Sequence, residues 1–150
     1  CTWRFVLAGA ADGPNPAAIS SAHVQAWVAE GVIEWWGHCA DMVEAYRRAS
    51  IVCLPSYREG MPKALLEAAA AGKPVVTTDA VGCREAILPG ESGLLVPVAD
   101  AEALAQALQT LIVDAALRAQ FGARGRALAA ERFTLQAVIE QTLAIYRADA

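Results

Sequence analysis

Short apolar runs alternate along the chain with longer segments in which apolar residues recur every three or four positions. The short runs are residues 3–9 (WRFVLAG), 32–36 (VIEWW), 50–56 (SIVCLPS), 74–79 (PVVTTD) and 92–98 (SGLLVPV). They are rich in leucine and β-branched residues and do not alternate with polar residues, a pattern typical of strands buried on both faces. The pattern therefore predicts five strands of a parallel sheet.

Helical spacing separates these runs. It predicts helices over residues 17–30, 40–49 and about 61–72, and a helical region from Asp100 to the end with breaks near Asp114 and Phe133. Asp100 and Thr134 have side chains that suit N-caps. The alternation predicts an α/β fold over residues 1–150 as a single domain: a Rossmann-like, doubly wound parallel sheet flanked by helices.

Ligands of such sheets bind at the carboxyl ends of the strands, where loops lead into helices. The loops at these positions are residues 9–16 (GAADGPNP), 37–41 (GHCAD), 55–63 (PSYREGMPK) and 79–85 (DAVGCRE). The first loop lacks the GxGxxG fingerprint, which disfavours an oxidoreductase with a dinucleotide cofactor. In the fourth loop, Arg84 and Glu85 either orient a bound molecule or form a local ion pair.

The third loop carries the strongest candidate chemistry. Pro62 suits the first position of a helix, where its missing NH costs nothing. The backbone NH groups of Lys63, Ala64 and Leu65 are then predicted to have no partner inside the helix. Together with the helix dipole they form an anion site, and Gly60 allows a ligand to approach the backbone closely. A phosphate or diphosphate fits this pattern.

Two glutamates flank the predicted anion site. Glu59 and Glu67 have seven residues between them, and Glu67 lies four residues beyond Lys63, which is roughly 6 Å along a helix axis. Each carboxylate can accept hydrogen bonds from a diol, so the order diol, diphosphate, diol matches a nucleotide sugar. A local interpretation is equally open: Glu67 pairs with a lysine or arginine of a neighbouring helix, and Glu59 is a solvated loop charge.

Composition and charge limit the kinds of molecule that this chain is expected to bind. The chain has 12 Lys and Arg against 16 Asp and Glu, a net charge of −4, and its cations are scattered, so nucleic acid is not favoured. The cysteines at positions 1, 39, 53 and 83 form no CxxC pair, which favours free thiols in the cytoplasm. No Asp-x-Asp pair is present to hold a metal ion against a diphosphate. The mean hydropathy of +0.34 indicates either that much of the apolar surface is core or that one face meets another domain.

Residues 55–87 (PSYREGMPKALLEAAAAGKPVVTTDAVGCREAI) and 90–100 (GESGLLVPVAD) resemble the C-terminal, donor-binding domain of retaining GT-B glycosyltransferases of family 4, the glycosyl transferases group 1. The wording is similar to enzymes that build bacterial lipopolysaccharide and other surface polysaccharides. The resemblance runs from residue 5 to the end. It implies retaining transfer of a sugar from a nucleotide-diphosphate sugar to a lipopolysaccharide or polysaccharide acceptor, without a metal or other cofactor.

The resemblance also implies roles for residues around the two glutamates. Glu59 matches the catalytic glutamate beside the donor sugar, and Glu67 matches the glutamate that holds the ribose diol. Gly60, Met61 and Pro62 match a segment along the sugar that is commonly Gly-Phe-Gly. Met61 and Pro62 depart from that form, which leaves the identity of the donor sugar open.

Four further positions carry weaker assignments. Lys63 and Ala64 match positions whose backbone NH groups meet the diphosphate. Gly37 and His38 match the loop beside the base, although His38 could instead cap its own loop. In the family an arginine and a lysine that grip the diphosphate lie in a first strand and helix, which we expect this chain to lack.

The chain opens on an apolar run with no initiator methionine, so we expect a piece of a longer protein. The resemblance then implies an absent N-terminal domain, which is a partner of this one and binds a lipid-linked or glycan acceptor. The fragment alone is expected to be inactive. We expect the full-length protein in the cytoplasm, and attachment to the inner face of the membrane through the absent domain is left as an open alternative. The alternative to an enzyme is a non-catalytic nucleotide-binding or interaction domain of the same fold.

Overall fold

The computed structural model describes residues 2–11 and 18–148, and its helices and strands fall in two compact units, Cys1–Ala45 and Tyr46–Ala150. The first unit contains β1 (Val6–Ala8), α1 (Ser21–Ala29) and β2 (Glu34–Gly37), and α2 (Met42–Arg48) spans the division. The second contains β3 (Val52–Leu54), α3 (Lys63–Ala70), β4 (Val75–Thr78), β5 (Gly93–Val96), α4 (Ala101–Val113), α5 (Ala115–Arg132) and α6 (Leu135–Ala148). All five predicted strands are present.

In the first unit, β1 and β2 form a two-stranded parallel sheet. Leu7 lies opposite Trp35, and the register shifts between Leu7 and Ala8. The prediction that β1 is buried is wrong: Val6 and Leu7 are 37% and 40% exposed. In the described part of this unit β1 has one neighbouring strand, so its other edge stays open. Most of the loop after β1, residues 12–17, lies outside the described residues.

In the second unit, the three strands are parallel in the order β3, β4, β5. Every residue of β4 is buried, whereas β3 and β5 are only partly buried. Continuous burial was predicted for all the strands and holds for β4, because β4 has a strand on each side. Val76 and Val96 pack with Leu111 of α4 and Phe121 of α5 to form the core of this unit.

The predicted breaks in the C-terminal helical region are confirmed. The side chain of Asp100 accepts a hydrogen bond from the NH of Ala103 at 2.9 Å, so it caps α4. The side chain of Thr134 accepts from the NH of Ala137 at 3.2 Å and caps α6. Asp114 caps α5 in the same way. No helix among the described residues is both long and apolar enough to cross a bilayer.

Candidate functional site

The loop from β3 to α3 ends in a helix start that differs from the prediction. Pro62 occupies the N-cap position, with φ −72° and ψ 108°, and α3 begins at Lys63 instead of near Met61. The carbonyl of Pro62 accepts a hydrogen bond from the NH of Leu65 at 3.0 Å. The expected free NH of Leu65 is therefore wrong, because the carbonyl of an N-cap residue already accepts the first bond of its helix.

The N-cap of α3 differs from those of the other helices. The side chains of Ser20, Asp41, Asp100, Asp114 and Thr134 each accept a hydrogen bond at the start of a helix. Pro62 has no acceptor atom in its side chain and makes no such bond. Within the described residues, the NH groups of Lys63 and Ala64 have no hydrogen-bond acceptor. This helix start can therefore receive an anion.

Glu59 is held by its own loop and by the end of β4. The hydroxyl of Ser56 donates to Oε1 of Glu59 at 2.8 Å. The hydroxyl of Thr78 in turn donates to the carbonyl of Ser56, and it accepts from the NH of Ser56 at 3.1 Å. No group in the described part of the chain donates to Oε2 of Glu59. The carboxylate is thus fixed through one oxygen and retains the other for a ligand.

The loop of residues 79–85 supports the backbone of Glu59 and Gly60. The NH of Glu59 donates to the carbonyl of Val81 at 3.2 Å. Gly82 has φ +83°, and a Cβ at this position would lie 2.2 Å from the carbonyl oxygen of Gly60. The NH of Gly82 donates to the carboxylate of Glu85 at 2.7 Å. The two loops therefore contact each other backbone to backbone, which only glycine at position 82 allows.

Arg84 and Glu85 are used within their own loop. The Nε of Arg84 lies 2.9 Å from Oδ1 of Asp79, and its guanidinium also donates to the Asp79 carbonyl. Glu85 accepts the bond from Gly82. Of the two interpretations from the sequence, the local one fits: these charges shape the loop.

Glu67 lies one turn into α3, on its exposed side. The hydroxyl of Tyr46 donates to Oε2 of Glu67 at 3.1 Å. Burial, the hydrogen bond to Glu67 and the charge of Glu67 together raise the pKa of Tyr46 to about 12. The partner of Glu67 is thus a neutral phenol and not the lysine or arginine of the local interpretation, so the site keeps its negative charge.

The predicted residues 59–64 and Glu67 all lie in the second unit, in the loop before α3 and in the first turns of that helix. Gly60 is exposed, and within the described residues no atom lies within 4 Å of the place a Cβ would take, so a ligand can approach Gly60 from that side. Met61 is 46% exposed, whereas Pro62 is buried. A cavity of about 290 Å³ adjoins Ser56, and a groove of about 390 Å³ adjoins Glu67.

The other predicted pair, Gly37 and His38, belongs to the first unit. Gly37 ends β2 with φ +63°, and its carbonyl accepts a hydrogen bond from the NH of Gly9 at 2.8 Å. His38 is exposed. The geometry of Gly37 suits a glycine, and the role of both residues beside a base stays a prediction.

Sequence reasoning missed three residues that support the glutamates: Tyr46, Ser56 and Thr78. Ser56 stands in the loop singled out from the sequence, and Tyr46 lies in the helix predicted for residues 40–49. The hydroxyl of Tyr46 contacts a residue 21 positions away in the sequence, and the hydroxyl of Thr78 contacts one 22 positions away. A local sequence pattern does not reveal contacts over such separations. Among the described residues no three His, Cys, Asp or Glu side chains are grouped to hold a metal ion.

Comparison with known proteins gives a family match and several relatives. The sequence model of the glycosyl transferases group 1 matches residues 1–114. The chain is 38% identical over 141 residues to the exopolysaccharide phosphotransferase of Streptomyces coelicolor, covering 93% of this chain and 14% of that protein. It is 36% identical over 115 residues to the N,N′-diacetylbacillosaminyl-diphospho-undecaprenol α-1,3-N-acetylgalactosaminyltransferase of Campylobacter jejuni, covering 77% of this chain and 29% of the enzyme.

Solved structures show the same architecture. HepE of Anabaena, solved with UDP, superposes with a TM-score of 0.83 at 25% identity, covering 98% of this chain and 41% of HepE. The same protein has also been solved with UDP-glucose. The chain therefore spans less than half the length of each of these three relatives.

Proposed function

Because this chain belongs to the glycosyl transferases group 1, we propose that it is the C-terminal, donor-binding domain of a retaining bacterial polysaccharide glycosyltransferase. Its substrate in this proposal is a nucleotide-diphosphate sugar. The observation that carries the proposal is the uncapped start of α3 between two carboxylates. Each carboxylate has one oxygen bonded to a hydroxyl and one oxygen that receives no hydrogen bond from the described residues.

The roles follow from the charges. The NH groups of Lys63 and Ala64 and the helix dipole attract the diphosphate and stabilise the charge that builds on it as the sugar leaves. Glu67 accepts hydrogen bonds from the ribose diol. Glu59 contacts the hydroxyls of the donor sugar near the anomeric carbon, where its negative charge stabilises the positive charge that develops in the transition state. Gly60, Met61 and Pro62 lie along the sugar.

The acceptor belongs to the rest of the proposed enzyme. This chain covers 14% and 29% of the two relatives above, so there is room in them for an N-terminal domain. We place a lipid-linked or glycan acceptor there, and we expect residues 1–150 alone to transfer no sugar. The bond from the anomeric carbon to the diphosphate then breaks while a hydroxyl of the acceptor bonds to that carbon from the same face. The leaving diphosphate takes the proton of this hydroxyl, so the transfer proceeds with retention and no metal.

The test uses the full-length protein and a donor screen that begins with UDP and GDP sugars, since HepE has been solved with UDP and UDP-glucose. Glu59→Gln is expected to lower kcat by at least about a hundredfold, with donor KM changed little, because the charge acts in the transition state. Glu67→Ala is expected to raise donor KM. Glu102→Gln, on the exposed first turn of α4, is the control and keeps wild-type kinetics.

Two results would contradict the proposal. Full activity of Glu59→Gln removes the assigned role of Glu59. Binding of nucleotide without any transfer supports the alternative, a non-catalytic domain of the same fold. The phosphotransferase relative adds a second candidate function, transfer of a phosphate-containing group to a polysaccharide. Mass analysis of the product separates the two, because the acceptor gains either a sugar alone or a group that contains phosphate.

A further inference from the structure

Tyr46 is a buried residue whose hydroxyl contacts the exposed carboxylate of Glu67. Its side chain is 6% exposed, and its hydroxyl reaches Glu67 at 3.1 Å. Glu67 itself is exposed, so a long and otherwise free side chain is fixed at one oxygen by a buried ring. A ring packed in a protein interior has one orientation, which fixes the direction of the bond.

The chemistry of the donor decides what Glu67 can then do. A lysine or arginine at this place would neutralise the carboxylate and occupy more than one lone pair. A phenol donates one hydrogen bond and adds no charge, and it stays protonated at neutral pH. Oε1 of Glu67 receives no bond from the described residues. The carboxylate of Glu67 thus keeps its charge, is held through Oε2, and has Oε1 available for a ligand.

We propose that Tyr46 is the positioning residue for the ribose of the donor: by fixing Oε2 of Glu67, it aims Oε1 at the 2′ and 3′ hydroxyls. This inference rests on the proposed function, in which Glu67 binds the ribose. It assigns to Tyr46 a role in affinity for the diol that is separate from its packing in the second unit.

The test compares two ligands on one variant of the full-length protein. Calorimetry measures binding of UDP and of 2′,3′-dideoxy-UDP, or of the GDP pair if GDP binds more tightly. Wild type is expected to prefer the ribose form. Tyr46→Phe is expected to weaken UDP binding about tenfold, the effect of losing a hydrogen bond that orients a charged group, and to leave dideoxy-UDP binding unchanged. Tyr146→Phe, an exposed tyrosine on α6, is the control with wild-type values.

Loss of folded protein lowers binding of both ligands equally, so it cancels in the ratio of their affinities. A second variant approaches from the other side: Glu67→Asp shortens the acid by one methylene and cannot reach both Tyr46 and the diol. It is expected to lose the same preference, and Tyr46→Phe should add nothing to it. In transfer assays Tyr46→Phe should raise donor KM and keep kcat within about twofold, because the ribose contact is equal in ground and transition states.

The failures can be told apart. If Tyr46→Phe leaves the ratio of the UDP and dideoxy-UDP affinities unchanged, whether both fall equally or neither falls, the role of Tyr46 is overturned and that of Glu67 stays intact. A Glu67→Asp enzyme that keeps the full preference overturns it too. A wild-type protein that binds both nucleotides equally, or neither, overturns the assignment of Glu67 and the inference with it.

Discussion

Replacing Gly82 by alanine tests whether the 79–85 loop sets the position of Glu59. The new Cβ would lie 2.2 Å from the Gly60 oxygen and 2.4 Å from the Glu59 oxygen, where real Cβ atoms stay at least 3.0 Å away. Both obstacles are backbone atoms, which cannot rotate aside. The two loops must therefore separate by about 0.8 Å, by comparison with that limit.

The cost has two parts, and a second glycine separates them. Gly82 has φ +83° and Gly90 has φ +76°, but a Cβ at Gly90 meets nothing within 4 Å. Gly90→Ala therefore carries only the left-handed strain, about 1 kcal/mol. Gly82→Ala adds the separation of the loops, which breaks the bond from the Glu59 NH to the Val81 carbonyl and brings the total to roughly 2–3 kcal/mol.

Thermal unfolding and transfer assays of the full-length protein measure both effects. For a domain of this size about 1 kcal/mol shifts Tm by 2–4 °C, so Gly82→Ala should melt several degrees below Gly90→Ala. Gly82→Ala should also lose most of its kcat, because Glu59 moves, whereas Gly90→Ala should keep it. Equal melting temperatures and equal kcat values in the two variants would refute the reasoning.

Thr78→Val removes both hydrogen bonds to the Ser56 backbone; we expect about 2 kcal/mol less stability and a lower kcat with an unchanged donor KM, and wild-type kcat would argue against this support. Asp100→Ala removes the cap of α4 and should cost about 1 kcal/mol in urea unfolding; no change would show that the cap is redundant. Since the pKa of Tyr46 rises from 10.0 to about 12 on folding, the stability it contributes is complete below pH 10 and is lost as pH rises towards 12. The free energy of unfolding in urea should therefore fall more steeply with pH in that range for wild type than for Tyr46→Phe, and equal slopes would contradict this. Dialysis against EDTA should leave transfer intact, whereas recovery on adding Mg²⁺ would disprove metal independence.

The elements of this fold were predictable because local pattern determines them. Apolar runs mark the five strands, and the caps at Asp100 and Thr134 mark helix starts within a few residues. Burial was less predictable: β1 and β4 have similar apolar sequences, yet β4 has a strand on each side and β1 has one. Burial depends on neighbours that a run of residues does not specify.

The candidate site divides in the same way. The stretch that holds Glu59 and Glu67 could be found from the sequence because its chemistry is local to one loop and one helix. The start of α3 was predicted two residues early, because proline is common in the first turn of a helix whereas Pro62 occupies the N-cap. The supports Tyr46 and Thr78 are far away in sequence, and no local pattern identifies them.

The missing cap of α3 has a consequence for hydrogen exchange. A helix whose first amide protons have no acceptor leaves them open to solvent, and its first turn frays easily. The other helices have a side chain that protects this turn. In the proposed enzyme the diphosphate takes that place, so nucleotide binding should slow exchange at Lys63 and Ala64 far more than at the start of α4. The substrate would then complete a helix that the sequence leaves unfinished.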